Sequence, residues 1–231
     1  TDKNTTGMEV ATLERKSIPS RTIPEPPPKD ILGWAEKNVR LVGSVRSETY
    51  DRDITPWTKE PIERIADKSC RIMTLVKPVQ SGGTRVGIIG ICHWAFIGVG
   101  TAQLNWEKQD KAEMKWEHET LPALQNCTGL KWAGHRWDSK VCHAQFHTSW
   151  VVSQGVWIPE NLDSDSIPFQ VNEEIHSWKP GHLAKARGRQ TAVTFPKALD
   201  ISNASRTGDQ LHQAFEAGTM QYWEVKCPGC K

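Results

Sequence analysis

A lysine, two glycines and two hydroxyl residues are gathered in one short stretch, Lys77-Pro-Val-Gln-Ser-Gly-Gly-Thr84. An apolar run, Arg71-Ile-Met-Thr-Leu-Val76, leads into it, and another, Val86-Gly-Ile-Ile-Gly-Ile-Cys92, leads out. Strand, glycine-bearing loop and helix in that order form a phosphate cradle. Backbone N–H groups and the helix N-terminus surround the phosphate oxygens. The usual pattern is G-x-x-x-x-G-K-[ST]. Gly82 and Thr84 fit it, whereas Gly83 stands in the lysine position and Lys77 in that of the first glycine. A plain Gly-Gly turn between a strand and a helix is the competing reading. In the phosphate reading, Gly82 and Gly83 give the backbone its freedom and Thr84 offers its hydroxyl to Mg²⁺. Lys77 supplies the missing ammonium from the start of the loop, with Arg85 as a second candidate cation.

A second element raises the phosphate reading. Ile167-Pro-Phe-Gln-Val-Asn-Glu-Glu-Ile-His176 is an apolar strand that ends in paired acids, about 90 residues after the loop. One carboxylate of such a pair holds the Mg²⁺ shell and the next orients or activates water. Glu173 and Glu174 suit these roles, with Asn172 taking the first in another register. An ordinary strand end with solvated acids is the alternative for this segment alone.

The elements that must position these residues follow from periodicity. Ile72–Val76, Val99–Leu104, Ile167–Asn172 and Ala198–Ser202 read as strands. Helices are expected from Asp30 as a cap, over Lys59–Lys68, Gly87–Phe96, Trp106–Leu121 and Leu211–Ala217. The stretch from Val141 to Val152 alternates like an antiparallel hairpin. Strands alternating with helices predict an α/β fold, a central mainly parallel sheet flanked by helices. Residues 1–30 are polar and proline-rich, a flexible arm, and 31–231 form the folded unit.

Composition narrows the class. The net charge of +2 gives no global case for nucleic acid, so local clusters must carry it. Eleven tryptophans point to packing seams or an interaction surface. Six scattered cysteines and no leader-like start favour a reducing cytoplasm. The longest apolar stretch, Val86 to Gly100, is too short for a membrane span. Cys227 and Cys230 have zinc-ligand spacing but make half a tetrahedral site, so zinc is not expected on this chain alone. Lys179, His182, Lys185, Arg187 and Arg189 form a basic run, read either as a solvated helix face or, Arg187 apart, as DNA-phosphate contacts joined by Arg40 and Arg46. Arg187 is a candidate arginine finger toward a neighbouring subunit's γ-phosphate.

From Trp34 to Cys230 the chain resembles the large terminase subunit of tailed bacteriophages, in particular the lambda-type group. Trp34-Ala-Glu-Lys-Asn is similar to that group's opening segment, and Thr55-Pro-Trp57 with Pro61-Ile-Glu-Arg-Ile to its stretch before the P-loop. Lys77–Thr84 resembles its K-x-x-Q-V-G-K-T loop, and some members likewise place the working lysine at the start. Asn172-Glu-Glu-Ile-His resembles the D-E-x-D strand end. Ala184-Lys-Ala-Arg187 resembles its A-x-x-R helix, Ile201-Ser-Asn-Ala-Ser205 its coupling segment, and Tyr222–Cys230 its Y-x-V-P-C-P-H-C-G segment.

The resemblance implies a P-loop NTPase that uses ATP and Mg²⁺ to drive double-stranded DNA into a procapsid. It implies a homo-oligomeric ring on the portal, the small terminase subunit as partner, no membrane, and work in the host cytoplasm. The isolated chain could then be monomeric and weak in hydrolysis. It also implies that the C-terminal nuclease domain of such proteins lies outside residues 31–231. Trp57 would stack on adenine, with core packing as its alternative, and Gln80 would sense the γ-phosphate, with a plain polar loop residue as its alternative; Ser81 would complete the loop, and Ser202, Asn203 and Ser205 would couple hydrolysis to DNA movement. Gly83 for lysine and Glu173 for aspartate are departures. They leave open a module of the same fold that binds nucleotide or DNA without hydrolysis.

Overall fold

The computed structural model describes residues 27–43, 47–97, 100–133, 142–146, 149–163, 165–227 and 229. Most of the arm expected over 1–30, together with Arg46 and Cys230, lies outside these residues. Six strands make one sheet: β1 (Ile72–Lys77), β2 (Gly100–Trp106), β3 (His143–Gln145), β4 (Ser149–Gly155), β5 (Phe169–Glu173) and β6 (Lys197–Asn203). Their order is β1-β6-β5-β2-β4-β3, with every pairing parallel except β3 on β4. The mainly parallel sheet with an antiparallel edge is the one expected. The hairpin expectation is half met, because β4 also pairs parallel with β2 and so belongs to the main sheet.

Helix α1 (Ile31–Asn38) begins at Asp30, whose Oδ1 accepts the Gly33 N–H at 3.0 Å. Such a cap satisfies a backbone donor that the helix itself leaves open. Helix α2 (Lys59–Ala66) follows, and α3 (Gly83–Ile97) leaves the glycine loop directly. Val86, Ile88, Ile89, Ile91 and Cys92 of α3 are all buried, so the helix is apolar nearly all round. A helix of that kind must be covered on every side. One side meets the sheet, where a Cβ on Gly87 would fall 2.7 Å from Val171 Cγ1, and the other sides meet α1, α2 and the later α5.

The single helix expected from Trp106 to Leu121 is instead three joined pieces. They are α4 (Gln109–Lys115), a π-helical stretch over Trp116–Thr120, and α5 (Leu121–Gln125). Trp106 still belongs to β2, in register with Gly155. Pro122 lacks an N–H and crowds the carbonyl four residues back, and the wide turn just before it accommodates both defects. Helices α6 (His182–Gly188) and α7 (Gln210–Glu216) cover the opposite face, around Val156, Ile175, Trp178, Leu183 and Leu211. No helix among the described residues is long and apolar enough to cross a membrane.

His93 lies in α3 edge-on to Trp34, with ring centroids 5.4 Å apart, and neither of its ring nitrogens has a hydrogen-bond partner. Burial, seconded by the charge of Lys197, pushes its pKa down from 6.5 to about 4. The unfolded chain therefore takes up a proton that the folded chain refuses. Stability from this group is complete above pH 6.5 and drains as pH falls toward about 4. Chemical denaturation across that window is expected to lose roughly 3 kcal/mol from His93, and His93→Phe is expected to flatten the dependence.

Candidate nucleotide site

The parallel register brings the chemistry to one edge. Lys77, the last residue of β1, is level with Asn203, the last of β6, while Glu173 at the end of β5 is level with Ile201. Because β6 lies between β1 and β5, the loop, the acids and the end of β6 meet at the carboxyl ends of three adjacent strands. Ligands of open α/β sheets sit at that end.

The displaced lysine reaches the loop. A Cβ built on Gly83 would fall 2.7 Å from Lys77 Cε and closer still to Cδ. The Lys77 stem thus occupies the space that a lysine at 83 would need for its own. Its Nζ donates to Asn203 Oδ1 at 2.9 Å and pairs with Glu174 Oε1 at 3.4 Å. Both side chains of that pair are shielded, Lys77 to 10% and Glu174 to 16% exposure. The absent lysine and the smallness of residue 83 are therefore one feature.

Gln80 is left-handed with φ 59° and Gly82 with φ 87°, the conformation that nests for anions use at alternate residues. Ser81 donates its hydroxyl to Pro78 O at 2.8 Å, and its own carbonyl accepts Trp57 Nε1 at 2.7 Å. Trp57 braces the loop by that bond. The concavity beside Gly82 and Arg85 is lined instead by Tyr50, Ile54, Thr55 and Thr58, with Trp57 absent from its wall. The indole edge of Trp57 is thus bonded to the loop, and Tyr50 and Ile54 border the hollow next to it. Gln80 is exposed at the loop tip, where a ligand would arrive.

Strand pleat separates the two registers offered for the acids. Val171 and Glu173 face α3, and Glu173 Oε2 accepts the Thr84 hydroxyl at 3.3 Å. Asn172 faces the other side, in a buried ladder: Asn105 Nδ2 donates to Asn172 Oδ1 at 2.8 Å and Asn172 Nδ2 to Asp200 Oδ1 at 2.6 Å. Glu173, not Asn172, therefore shares the loop's face. It is fully buried, and burial pushes its carboxyl up to about 8 against the pull of Lys77. Its Oε1 has no partner.

A buried carboxylate with an orphan oxygen beside a threonine hydroxyl fits Mg²⁺. That ion is usually held by one or two carboxylates and completes its octahedron with water and substrate phosphates. Among the described residues, no cluster of three or more His, Cys, Asp or Glu could hold a metal by protein ligands alone. Cys227 is exposed, and Cys230 lies outside the described residues.

Glu174 leaves the strand in the left-handed conformation, φ 54° and ψ 45°, which turns its carboxylate back over the sheet edge. Its N–H donates to Ile201 O at 2.7 Å, and Trp178 Nε1 donates to Glu173 O at 3.0 Å, fixing the turn. Asn203 Nδ2 reaches Glu174 Oε2 at 3.3 Å. Asn203 thus touches both the lysine and the acid, while Ser202 meets His176 on the strand's other side. Ser205 is exposed beyond the strand, hydrogen-bonded to Asp209 at the start of α7, and is not brought to the site.

Arg187 is turned away from the loop of its own chain. It pairs with Asp200, a fully buried carboxylate at the end of the asparagine ladder. Burial raises the Asp200 carboxyl, and Arg187 opposes that shift. A finger role toward a neighbouring subunit would require breaking this pair, at the cost of leaving a buried charge uncompensated. Arg189 is also committed inward, to Gln103 Oε1 and to the carbonyls of Asn161 and Asp165. Of the residues expected to touch DNA in that run, Arg189 is therefore held by the protein's own groups. His176 and Trp178 were not singled out from sequence, and only the fold shows what they touch.

A glycine loop between the first strand and its helix, with paired acids two strands away, defines the P-loop nucleotide-hydrolase fold. The model of the phage terminase large subunit gpA, ATPase domain, matches residues 44–231, and the chain belongs to that family. Among solved structures it is similar to the large terminase ATPase domain of Thermus phage P74-26, at 15% identity and TM-score 0.53, over 73% of this chain and 72% of that one. It is also similar to the large terminase of bacteriophage HK97, at 9% identity and TM-score 0.59, over 81% of this chain and 40% of that one. At these identities the likeness is one of fold. No curated protein matches the chain.

Proposed function

We propose that residues 31–231 form a working ATPase motor unit that drives double-stranded DNA into a procapsid. The observation that carries this reading is the course of Lys77, whose stem lies over Gly83 and whose ammonium ends between Glu174 and Asn203. That course sets a cation at the loop beside the acid, where the charge of a bound γ-phosphate would need one.

In this reading, the N–H groups of Ser81 to Thr84 and the ammonium of Lys77 hold the β- and γ-phosphates. Thr84 and Glu173 hold Mg²⁺, which when bound neutralises the phosphate oxygens. Glu174 accepts a proton from the attacking water, and Asn203 registers whether the γ-phosphate is present. The adenine lies in the hollow bordered by Tyr50 and Ile54. Ser202 and Asn203 carry the change along β6, whereas Ser205 contributes only through the cap of α7. A homo-oligomeric ring, the portal, the small subunit and a site of action in the host cytoplasm complete the proposal.

The test is phosphate release from Mg²⁺–ATP by the purified chain, with and without double-stranded DNA. Turnover that rises with DNA supports the motor reading. Tight nucleotide binding without turnover under either condition replaces it with a non-hydrolysing nucleotide module.

A further inference from the structure

Glu174 is held from three directions. Lys77 meets Oε1, Asn203 Nδ2 meets Oε2 at 3.3 Å, and His176 Nδ1 lies 3.2 Å from the same Oε2. The first of these holds cannot last through a catalytic cycle. An ammonium that turns to phosphate oxygens gives up its carboxylate partner, and the acid must then be aimed by what remains.

His176 is built to remain. It sits in the single 3₁₀ turn Ile175–Ser177 that follows Glu174, and that turn is closed by the Ser177 hydroxyl on Glu174 O at 2.7 Å. Its imidazole is itself anchored, with Nδ1 2.8 Å from Ser202 Oγ and the backbone N–H donating to that same oxygen at 3.2 Å. Ser202 is fully buried on β6. Nδ1 is hydrogen-bonded to Ser202 Oγ and lies 3.2 Å from Glu174 Oε2, so the imidazole stands between the acid and β6. Through Ser202 the orientation of the acid is tied to the strand that also carries Asn203.

We propose that His176 is the positioning residue for Glu174, holding its carboxylate toward the attacking water after Lys77 has moved to the phosphates, and making that hold depend on β6 through Ser202. The inference rests on the ATPase reading given above. It assigns His176 no contact with nucleotide, so its loss should act on turnover and spare binding.

Steady-state ATPase kinetics in the presence of double-stranded DNA test it with three variants. An asparagine at 176 can place its amide nitrogen where Nδ1 now lies, whereas a glutamine reaches only the Nε2 position. His176→Ala is expected to lower kcat by roughly 10- to 100-fold, the cost of a misaimed catalytic group, with the KM for ATP changed by less than about threefold. His176→Asn is expected to restore kcat to within about threefold of the unaltered chain, and His176→Gln to stay near the alanine level.

An alanine variant with unaltered kcat overturns the inference, as does an equal loss in the asparagine and glutamine variants, which marks a packing role. A loss confined to KM also overturns it, because it places His176 on the nucleotide. Absence of turnover in the unaltered chain overturns the ATPase reading itself, and the inference with it. Turnover in the unaltered chain with no effect of His176→Ala overturns the inference alone.

Discussion

Replacing Lys77 by methionine weakens Mg²⁺–ATP binding by roughly 2–5 kcal/mol, from about 30-fold to several thousand-fold in Kd. Methionine keeps an unbranched stem over Gly83 and removes only the charge, so the loss reads the ammonium and not the packing. Lys77→Ala removes both and is expected to bind no better. The shared space at Gly83 extends the prediction. A side chain at 83 collides with the Lys77 stem, whose Cε lies 2.7 Å from the Cβ position. Gly83→Lys alone therefore disturbs the loop, and Lys77→Ala with Gly83→Lys is expected to recover at least about tenfold of the affinity lost in Lys77→Ala. Two changes that meet in one space are not additive. Isothermal calorimetry of the four proteins gives the comparison.

Replacing Glu174 by glutamine leaves nucleotide binding intact and lowers kcat by roughly 10²–10⁴-fold, the range for removing a general base. The single amide oxygen still accepts from Lys77, and the bonds that fix the turn at the end of β5, Glu174 N–H on Ile201 O and Trp178 Nε1 on Glu173 O, do not use the side chain. Binding is not expected to weaken, because the variant loses a negative charge that faces the incoming γ-phosphate and competes for Lys77. A filter-binding Kd beside a single-turnover rate separates the two quantities. Equal losses in both would move Glu174 from the reacting water to the nucleotide. Glu173→Gln differs in kind, since that carboxylate accepts the Thr84 hydroxyl and its other oxygen has no protein partner.

Much of this site is legible in the chain itself, for a local reason. The strand, loop and helix from Ile72 to Ile97 are contiguous, and their apolar runs and glycines mark them without outside help. The paired acids at the end of an apolar strand are equally local. What was not legible depends on strand order and pleat. The choice between Asn172 and Glu173 turns on which face of β5 lies under α3, and that is fixed by Gly87 meeting Val171. The ladder of Asn105, Asn172 and Asp200 joins three strands and claims Arg187, a pairing that no spacing announces. His176 acquires its role only because β6 returns between β1 and β5 and sets Ser202 beside it. Trp57 has a residue type that suits a base, yet its indole N–H is spent on Ser81 O.

The helix from Trp106 onward shows the same limit from the side of local structure. Charge and periodicity marked a helix there, but they could not place its start. Parallel pairing holds Trp106 in β2, opposite Gly155, and tertiary pairing overrides helix propensity at that residue. Pro122 was visible, and its effect was the wide turn before it and not an end to the helix.

The claim on which the rest depends is that the Lys77 ammonium serves the phosphates although residue 83 is glycine. A crystal structure of the chain with Mg²⁺ and a non-hydrolysable ATP analogue tests it most directly. Lys77 Nζ is expected about 3 Å from a β- or γ-phosphate oxygen, its stem still over Gly83 and its bond to Glu174 given up. Phosphates bound in the loop with Lys77 still paired to Glu174 and Asn203, and another cation such as Arg85 in its place, would contradict it.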